Sequence, residues 1–390
     1  MLMRWAGPTV AVMLLTACST AAPTAPPSTA VQPPRIADVT DYRGDLRRTG
    51  RMPGPAPSDP VRVRWRFTGP VPLTLPPAVV AGQVLVPGDG SLVALDLESG
   101  AVLWSVALGA QLNAAVTVAS GTVYATTSDG VTHAVDLRSH QERWRFVGAA
   151  DGAQVSIQDG TVYLGTRRRD LVALDPADGR TRWSVHVGHS VSRTTIADGM
   201  AYVGGEGTGT MTAIDLARQR VAWTFDTGAD RLVTPVADDG TLFVAGVAAG
   251  ALPGRGTSLF ALDARTGTRK WSFAPPGDPP MSSFAVSAHD VYIGTDTTPG
   301  TLYAVAVGTG KVTWQQPVPG PVDRPTLVDD ALYLASGQGG LLALDTGTGR
   351  RRWTAPVDGY AEGVVLTGGM ALVAARDATD APGTLTAFTS

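Results

Sequence analysis

The sequence predicts an all-β fold, an eight-bladed β-propeller of four-stranded antiparallel blades. Three observations predict it. Tryptophan recurs at Trp65, Trp104, Trp144, Trp183, Trp223, Trp271, Trp314 and Trp353, at intervals of 39 to 48 residues, and a period near 40 is the mark of a repeat architecture. A fixed word surrounds the tryptophans. Asp96, Asp136, Asp175, Asp215, Asp263 and Asp345 each stand eight residues before a Trp, with Ala306 in that place before Trp314. Two residues earlier stand Ala94, Ala134, Ala173, Ala213, Ala261, Ala304, Ala343 and, at the C-terminus, Ala387. Within each unit the apolar period is two, with turn signals roughly every 8–12 residues.

Residues 153–186 show how one unit builds a blade. AQVSI, TVYLG, LVALD and TRWSV read as strands, separated by QDG, TRRRD and PADGR as turns and a loop, which gives a four-stranded meander. In the turn before the Trp strand, the Asp carboxylate can accept hydrogen bonds from amides of its own turn. Gly100, Gly179, Gly267, Gly310 and Gly349, four residues before a Trp, suit a left-handed backbone. His140 and Gln219 fill that slot in two blades, and those turns are expected to differ. The alanine leaves room for a neighbouring blade, and the Trp buries a large ring between blades. These roles are structural. The chain ends complement each other. VRVRWRF around Trp65 is an outer strand with no blade before it, and TLTAF (384–388) is a third strand with no Trp after it. Residues 61–67 are therefore expected to complete the blade near 361–388, closing the ring and removing open sheet edges.

The run Ala261-Leu-Asp263-Ala-Arg-Thr266-Gly267-Thr-Arg-Lys-Trp271 meets the A-x-D-x-x-T-G-x-x-x-W word of the pyrroloquinoline-quinone-type (PQQ-like) repeat family, as does Ala343 to Trp353. Residues 43–50, RGDLRRTG, resemble the FRG-x-x-x-RTG lead-in that precedes many such propellers. The resemblance covers roughly residues 40–390. It is strongest to non-catalytic, lipid-anchored members, including the propeller subunit of the outer-membrane β-barrel assembly machine, and implies a protein-binding role in the cell envelope. The family also contains quinone-dependent dehydrogenases, which resemble one another in long inserted loops, often adjacent cysteines beneath the cofactor, and Glu and Asn oxygens on calcium. Here Cys18 is the only cysteine and Asn113 the only asparagine, and no acidic cluster offers the six to eight oxygens that calcium takes. No cofactor and no enzymatic activity are expected.

Arg4 and the apolar run Ala6–Leu15 make residues 1–17 an export signal, too short to span a bilayer. Leu15-Thr16-Ala17-Cys18 matches the bacterial lipoprotein cleavage box, which marks Cys18 for lipidation. Residues 18–38, rich in Pro, Ala, Ser and Thr, form a tether. Residues 39–60 are a lead-in expected to lie against the propeller of residues 61–390. These features place the protein on the outer, extracytoplasmic face of a membrane, held by acyl chains. The 31 Lys+Arg against 34 Asp+Glu give a net charge of −3, which argues against nucleic acid as a partner.

In a propeller the loops between second and third strands share one face with the loops that join blades. Residues eight to ten after each Trp begin the innermost strands, which places Arg193, Arg231, Asp323, Arg324 and Glu362 near the channel mouth, with Asp230 and Asn113 at the same level. Arg167, Arg168, Arg169, His189, Glu206 and the 246–256 loop fall on the same face. This face is either a solvated rim of mutually paired charges or a recognition face whose guanidinium groups meet acidic side chains or carboxylate ligands. His186 and His189 read as a surface pair, and Ser192 and Ser282 as ordinary strand-start residues. The expected function is a scaffold or ligand-sensing module. An assembly-factor role for outer-membrane barrels and a quinone dehydrogenase are the alternatives.

Overall fold

The computed structural model describes residues 37–59, 61–69, 73–247, 257–277, 279–336, 339–376 and 382–390. The signal, Cys18 and most of the tether lie outside the described residues, as do positions 248–256. Eight antiparallel sheets follow one another in chain order, and among the described residues the one helical element is a 3-10 turn at Tyr42–Gly44. Blades 1 to 7 begin with inner strands at Ala78, Thr117, Ser156, Ser190, Arg231, Met281 and Val322, and blade 8 begins at Tyr360. In blade 5 the inner strand is broken into Arg231–Leu232 and Val236–Asp238, on either side of Pro235, which has no amide to give to a ladder.

The ring closes as the chain ends require. Strand Arg62–Thr68 pairs antiparallel with Thr384–Thr389 and completes the sheet of Tyr360–Thr367 and Met370–Arg376. Its register sets Trp65 opposite Ala387. The same Ala–Trp pairing recurs in the other seven blades, from Ala94↔Trp104 to Ala343↔Trp353. Each of these alanines is fully buried.

Second and third strands are buried along nearly their whole length, whereas outer strands alternate and leave Val102, Leu103 and Val147 exposed. Among the described residues the apolar core divides into eight clusters, each straddling one junction between adjacent blades. The cluster that joins blade 8 to blade 1 contains Trp65, Leu385 and Ala387 with Val79, Val84 and Leu95. The hydrophobic driving force therefore acts between blades.

The Trp docks onto the turn of the next blade. A Cβ at Gly100, Gly179, Gly267, Gly310 or Gly349 would lie within 2.7 Å of the ring of Trp65, Trp144, Trp223, Trp271 or Trp314, respectively. Those ring N–H groups donate to Leu97, Pro176, Ala264, Val307 and Thr346 carbonyls of the same turns. The expectation that the His140 and Gln219 turns differ is corrected: both residues adopt the left-handed backbone, φ 59° and 53°, within about 20° of the glycines. The His140 ring instead stacks on Trp104, centroids 4.4 Å apart, so a side chain fills the space that glycine leaves elsewhere. Turn aspartates accept amide hydrogen bonds, as Asp263 does from Thr266 at 2.8 Å. At Ala306 the backbone bond from Gly310 N–H, 2.9 Å, holds the turn without a carboxylate.

The lead-in circles the channel. Its backbone bonds to the inner strands of blades 1, 2, 4, 5, 6 and 7 through Val79, Val118, Ile196, Ala237, Val286 and Leu327, and to the following turn of blade 8 through Gly368 and Gly369. Blade 3 is reached by the Arg48 side chain, whose Nη2 donates to Ser156 Oγ at 2.6 Å. Arg43 Nη2 donates to the Phe284 and Pro325 carbonyls at 2.6 and 2.8 Å. The backbone bonds of blades 4 to 7 fall in the second half of the inner strands, and those of blade 8 in the turn beyond its own, so the lead-in closes one mouth of the channel.

Candidate functional site: the axial cavity

At the opposite ends of the inner strands lies an axial cavity of about 290 Å³. Tyr42 of the lead-in forms its floor and is only 6% exposed. The walls come from blades 4 to 8. The reason lies in the inner strands. Those of blades 1 to 3 are three residues long, Ala78–Val80, Thr117–Ala119 and Ser156–Gln158. Those of blades 4, 6, 7 and 8 run six to eight residues and each carries a register shift, between Val191 and Thr194, Met281 and Phe284, Asp323 and Thr326, and Ala361 and Gly363. A bulge re-aims side chains, and the residues at these four shifts that line the cavity are Arg193, Ser282 with Ser283, Arg324 and Glu362.

Of the residues expected at the mouth, Arg193, Arg231, Asp323, Arg324 and Glu362 come together here. The structure divides the arginines into two kinds. Arg324 is committed to the protein: Nη1 donates to the Thr74 and Glu362 carbonyls at 3.1 and 3.0 Å, and Nε lies 3.3 Å from Asp323. Glu362 is paired with Arg376, whose guanidinium sits over the Tyr360 ring at 4.6 Å. Arg193 and Arg231 are exposed. Among the described residues neither forms an ion pair, and Arg193 lies over the Tyr42 ring, 5.8 Å from its centroid. Burial alone would raise the Tyr42 phenol, but the guanidinium groups of Arg193, Arg324 and Arg43 outweigh it and hold the phenol below its ordinary value. The cavity floor therefore feels a positive field.

The remaining candidates lie elsewhere. Arg167, Arg168 and Arg169 are exposed on the turn between the second and third strands of blade 3. There the Arg167 guanidinium covers Gly130 of blade 2, and Arg169 Nη1 donates to the Gly188 carbonyl at 3.2 Å. Asn113 Nδ2 donates to Asp151 at 2.6 Å. The surface histidine pair is corrected: His186 is exposed beside Asp170, but His189 is buried, its Nε2 2.8 Å from Thr212 Oγ1. Burial lowers its pKa. Asp230 is not part of the cavity wall.

Sequence reasoning missed Tyr42, Asp296, Tyr360 and Arg376, and it treated Ser282 as ordinary. Asp296 and Arg376 had a readable signal, since Arg376 ends a second strand as Glu206 does and Asp296 directly follows one. Tyr42 stands where the FRG lead-in word has Phe, a departure visible in the sequence, although its place on the axis was not.

A family model described as outer membrane protein assembly factor BamB matches residues 59–195, 130–250 and 186–390. The chain belongs to this family. Among solved structures, the BamB-type fold here is similar to BamB from Moraxella catarrhalis, with a TM-score of 0.65 and 17% identity over 85% of this chain and 100% of that one. It is also similar to quinohemoprotein alcohol dehydrogenase from Comamonas testosteroni, with a TM-score of 0.69 and 14% identity over 90% of this chain and 80% of that one. A europium-containing methanol dehydrogenase gives 0.71 and 13% over 90% and 98%. At these identities the likeness concerns the fold alone. A tetrathionate hydrolase of Acidithiobacillus ferrooxidans is 29% identical over 108 residues, a match that spans 28% of this chain and 20% of that protein.

Proposed function

We propose that this BamB-type chain is a non-catalytic propeller, lipid-anchored through Cys18 on the extracytoplasmic face of a membrane, that presents its open face to a protein partner in the cell envelope. One observation carries the reading. The lead-in, which follows the tether, is bonded to all eight blades at one mouth of the channel. That mouth is thereby occupied, and the opposite face is left with exposed guanidinium groups at Arg167, Arg168, Arg169, Arg193 and Arg231. Exposed arginines suit acidic partner surfaces because the planar fork pairs with carboxylates in two-point geometry. A role in outer-membrane barrel assembly is the more specific reading, favoured by the description of the family model.

The donor set speaks against a quinone–calcium centre on the axis. Of the three cavity carboxylates, Asp323 and Glu362 already face Arg324 and Arg376, which leaves Asp296, far short of a calcium ligand set.

The test is photocrosslinking in intact cells, with the reactive group placed at position 168 or, on the opposite face, at position 98. Partner capture from 168 and not from 98 is expected, with mass spectrometry naming the partner. Cys18→Ser is expected to move the protein from the membrane to the soluble fraction. Capture from 98 alone would sink the open-face reading, and dye-linked alcohol oxidation on adding the quinone and Ca²⁺ would sink the non-catalytic one.

A further inference from the structure

We propose that the axial cavity is a site for a small organic acid, its carboxylate held by Arg193 and Arg231 above the Tyr42 ring. The proposal shares Arg193 and Arg231 with the partner-binding face, and the peptide arm of the test below separates the two.

The first argument is enclosure. Tyr42 seals the floor, and the lead-in beneath it is hydrogen-bonded around the ring. The cavity is a blind pocket open on one side, which is the form of a small-molecule site.

The second is charge. Asp323 and Glu362 answer Arg324 and Arg376, so the acidic side chains that could neutralise Arg193 and Arg231 are engaged, and the remaining cavity carboxylate, Asp296, is exposed. Two guanidinium groups on adjacent blades thus line one cavity without forming an ion pair among the described residues. Among the described residues neither donates a hydrogen bond to a backbone carbonyl, in contrast to Arg43, Arg48 and Arg324. A carboxylate accepts charge-assisted bonds from both.

The third is the composition of the wall. Leu232, Val233, Met281 and Val322 supply buried apolar surface beside the arginines. Ser282 and Ser283, both half-buried, add hydroxyls at a bulge. Polar and charged side chains make up most of the lining, and this apolar patch beside the arginines fits the short carbon body of a small acid. An inorganic oxyanion would leave the apolar wall uncovered. At about 290 Å³ the pocket takes a molecule of metabolite size.

The experiment is calorimetric titration of the full-length protein with benzoate and succinate, with benzamide, succinamide and sulfate as comparators. We expect at least one of the two acids to saturate at one molecule per chain, with its amide at least tenfold weaker. Arg193→Gln and Arg231→Gln should each weaken that acid roughly tenfold or more, Arg193→Lys should recover part of the loss, and Arg265→Gln, on a turn at the far face, should leave it unchanged. If one glutamine variant fails to fold, as judged by its melting curve, the other still decides. The proposal is overturned if neither acid saturates, if the amides bind as well, or if sulfate binds as tightly, which would make this an inorganic-anion site. It is equally overturned if binding survives loss of both arginines, or if only an acidic peptide binds, which would assign the arginines to the protein partner.

Discussion

Arg48 and Arg193 show how one residue type serves two ends. Arg48 has no exposed surface. Its guanidinium donates to the Tyr42 carbonyl at 2.7 Å, to the Asp45 and Thr194 carbonyls at 3.3 Å and to Ser156 Oγ, and it lies 3.8 Å from Asp41. A buried charge is tolerated only when its donors are satisfied, and here satisfaction ties the lead-in to blades 3 and 4. Arg48→Met should leave those carbonyls and Asp41 without a partner and reduce stability by about 3 kcal/mol. Arg193→Ala, at an exposed position, should stay within about 0.5 kcal/mol of the parent. Urea unfolding followed by tryptophan fluorescence measures both. Equal effects would mean that the lead-in contributes nothing to stability. The sequence displayed both arginines, but only burial distinguishes them.

The unit of cohesion among the elements is the turn before each Trp strand, together with the ring that docks on it from the preceding blade. Gly267 has φ 74°, and a Cβ there would meet the Trp223 ring at 2.7 Å; Gly240 has φ 66° and open space around the same position. Gly240→Ala therefore reports the left-handed backbone alone, about 1 kcal/mol. Gly267→Ala should cost about twice that, because the indole must also shift in a packed junction. Denaturant midpoints of the two variants check the difference, and equal losses would refute the docking argument. The repeat word revealed this element almost completely, because the Asp, Gly and Trp act within short stretches of chain. It failed at His140, where the glycine's absence suggested another turn. Stacking on Trp104, an interaction between blades, lets histidine hold the same backbone.

For the whole molecule, closure is the decisive event. Strand Arg62–Thr68 covers the edge of Thr384–Thr389, and Trp65 enters the junction of blades 8 and 1. Deleting residues 61–69 should expose that edge and the apolar faces around Leu385 and Phe388, and an unpaired apolar edge recruits other chains. We expect the truncated protein to elute from size exclusion as oligomers and aggregates and to lose a single cooperative melt. A monodisperse, cooperatively unfolding monomer would show that the closing strand is dispensable. Asymmetry also belongs to this scale. Short inner strands in blades 1 to 3, long bulged ones in blades 4, 6, 7 and 8 and a broken one in blade 5 put the cavity wall on one side of a ring whose repeats read as equivalent.

The sequence by itself determined the blade count, the strand order, the Ala–Trp register and the complementary ends, because each rests on periodicity and on turn chemistry local to one repeat. It also placed Arg193, Arg231, Asp323, Arg324 and Glu362 at one level of the ring, since position after a Trp fixes height in a blade. Only the tertiary structure decided which of those charges are already paired, that Tyr42 floors the cavity, and that the lead-in closes the opposite mouth. Those outcomes depend on contacts between residues far apart in the chain, such as Arg324 with Thr74 and Arg43 with Phe284, and a repeat pattern carries no information about what meets on its axis.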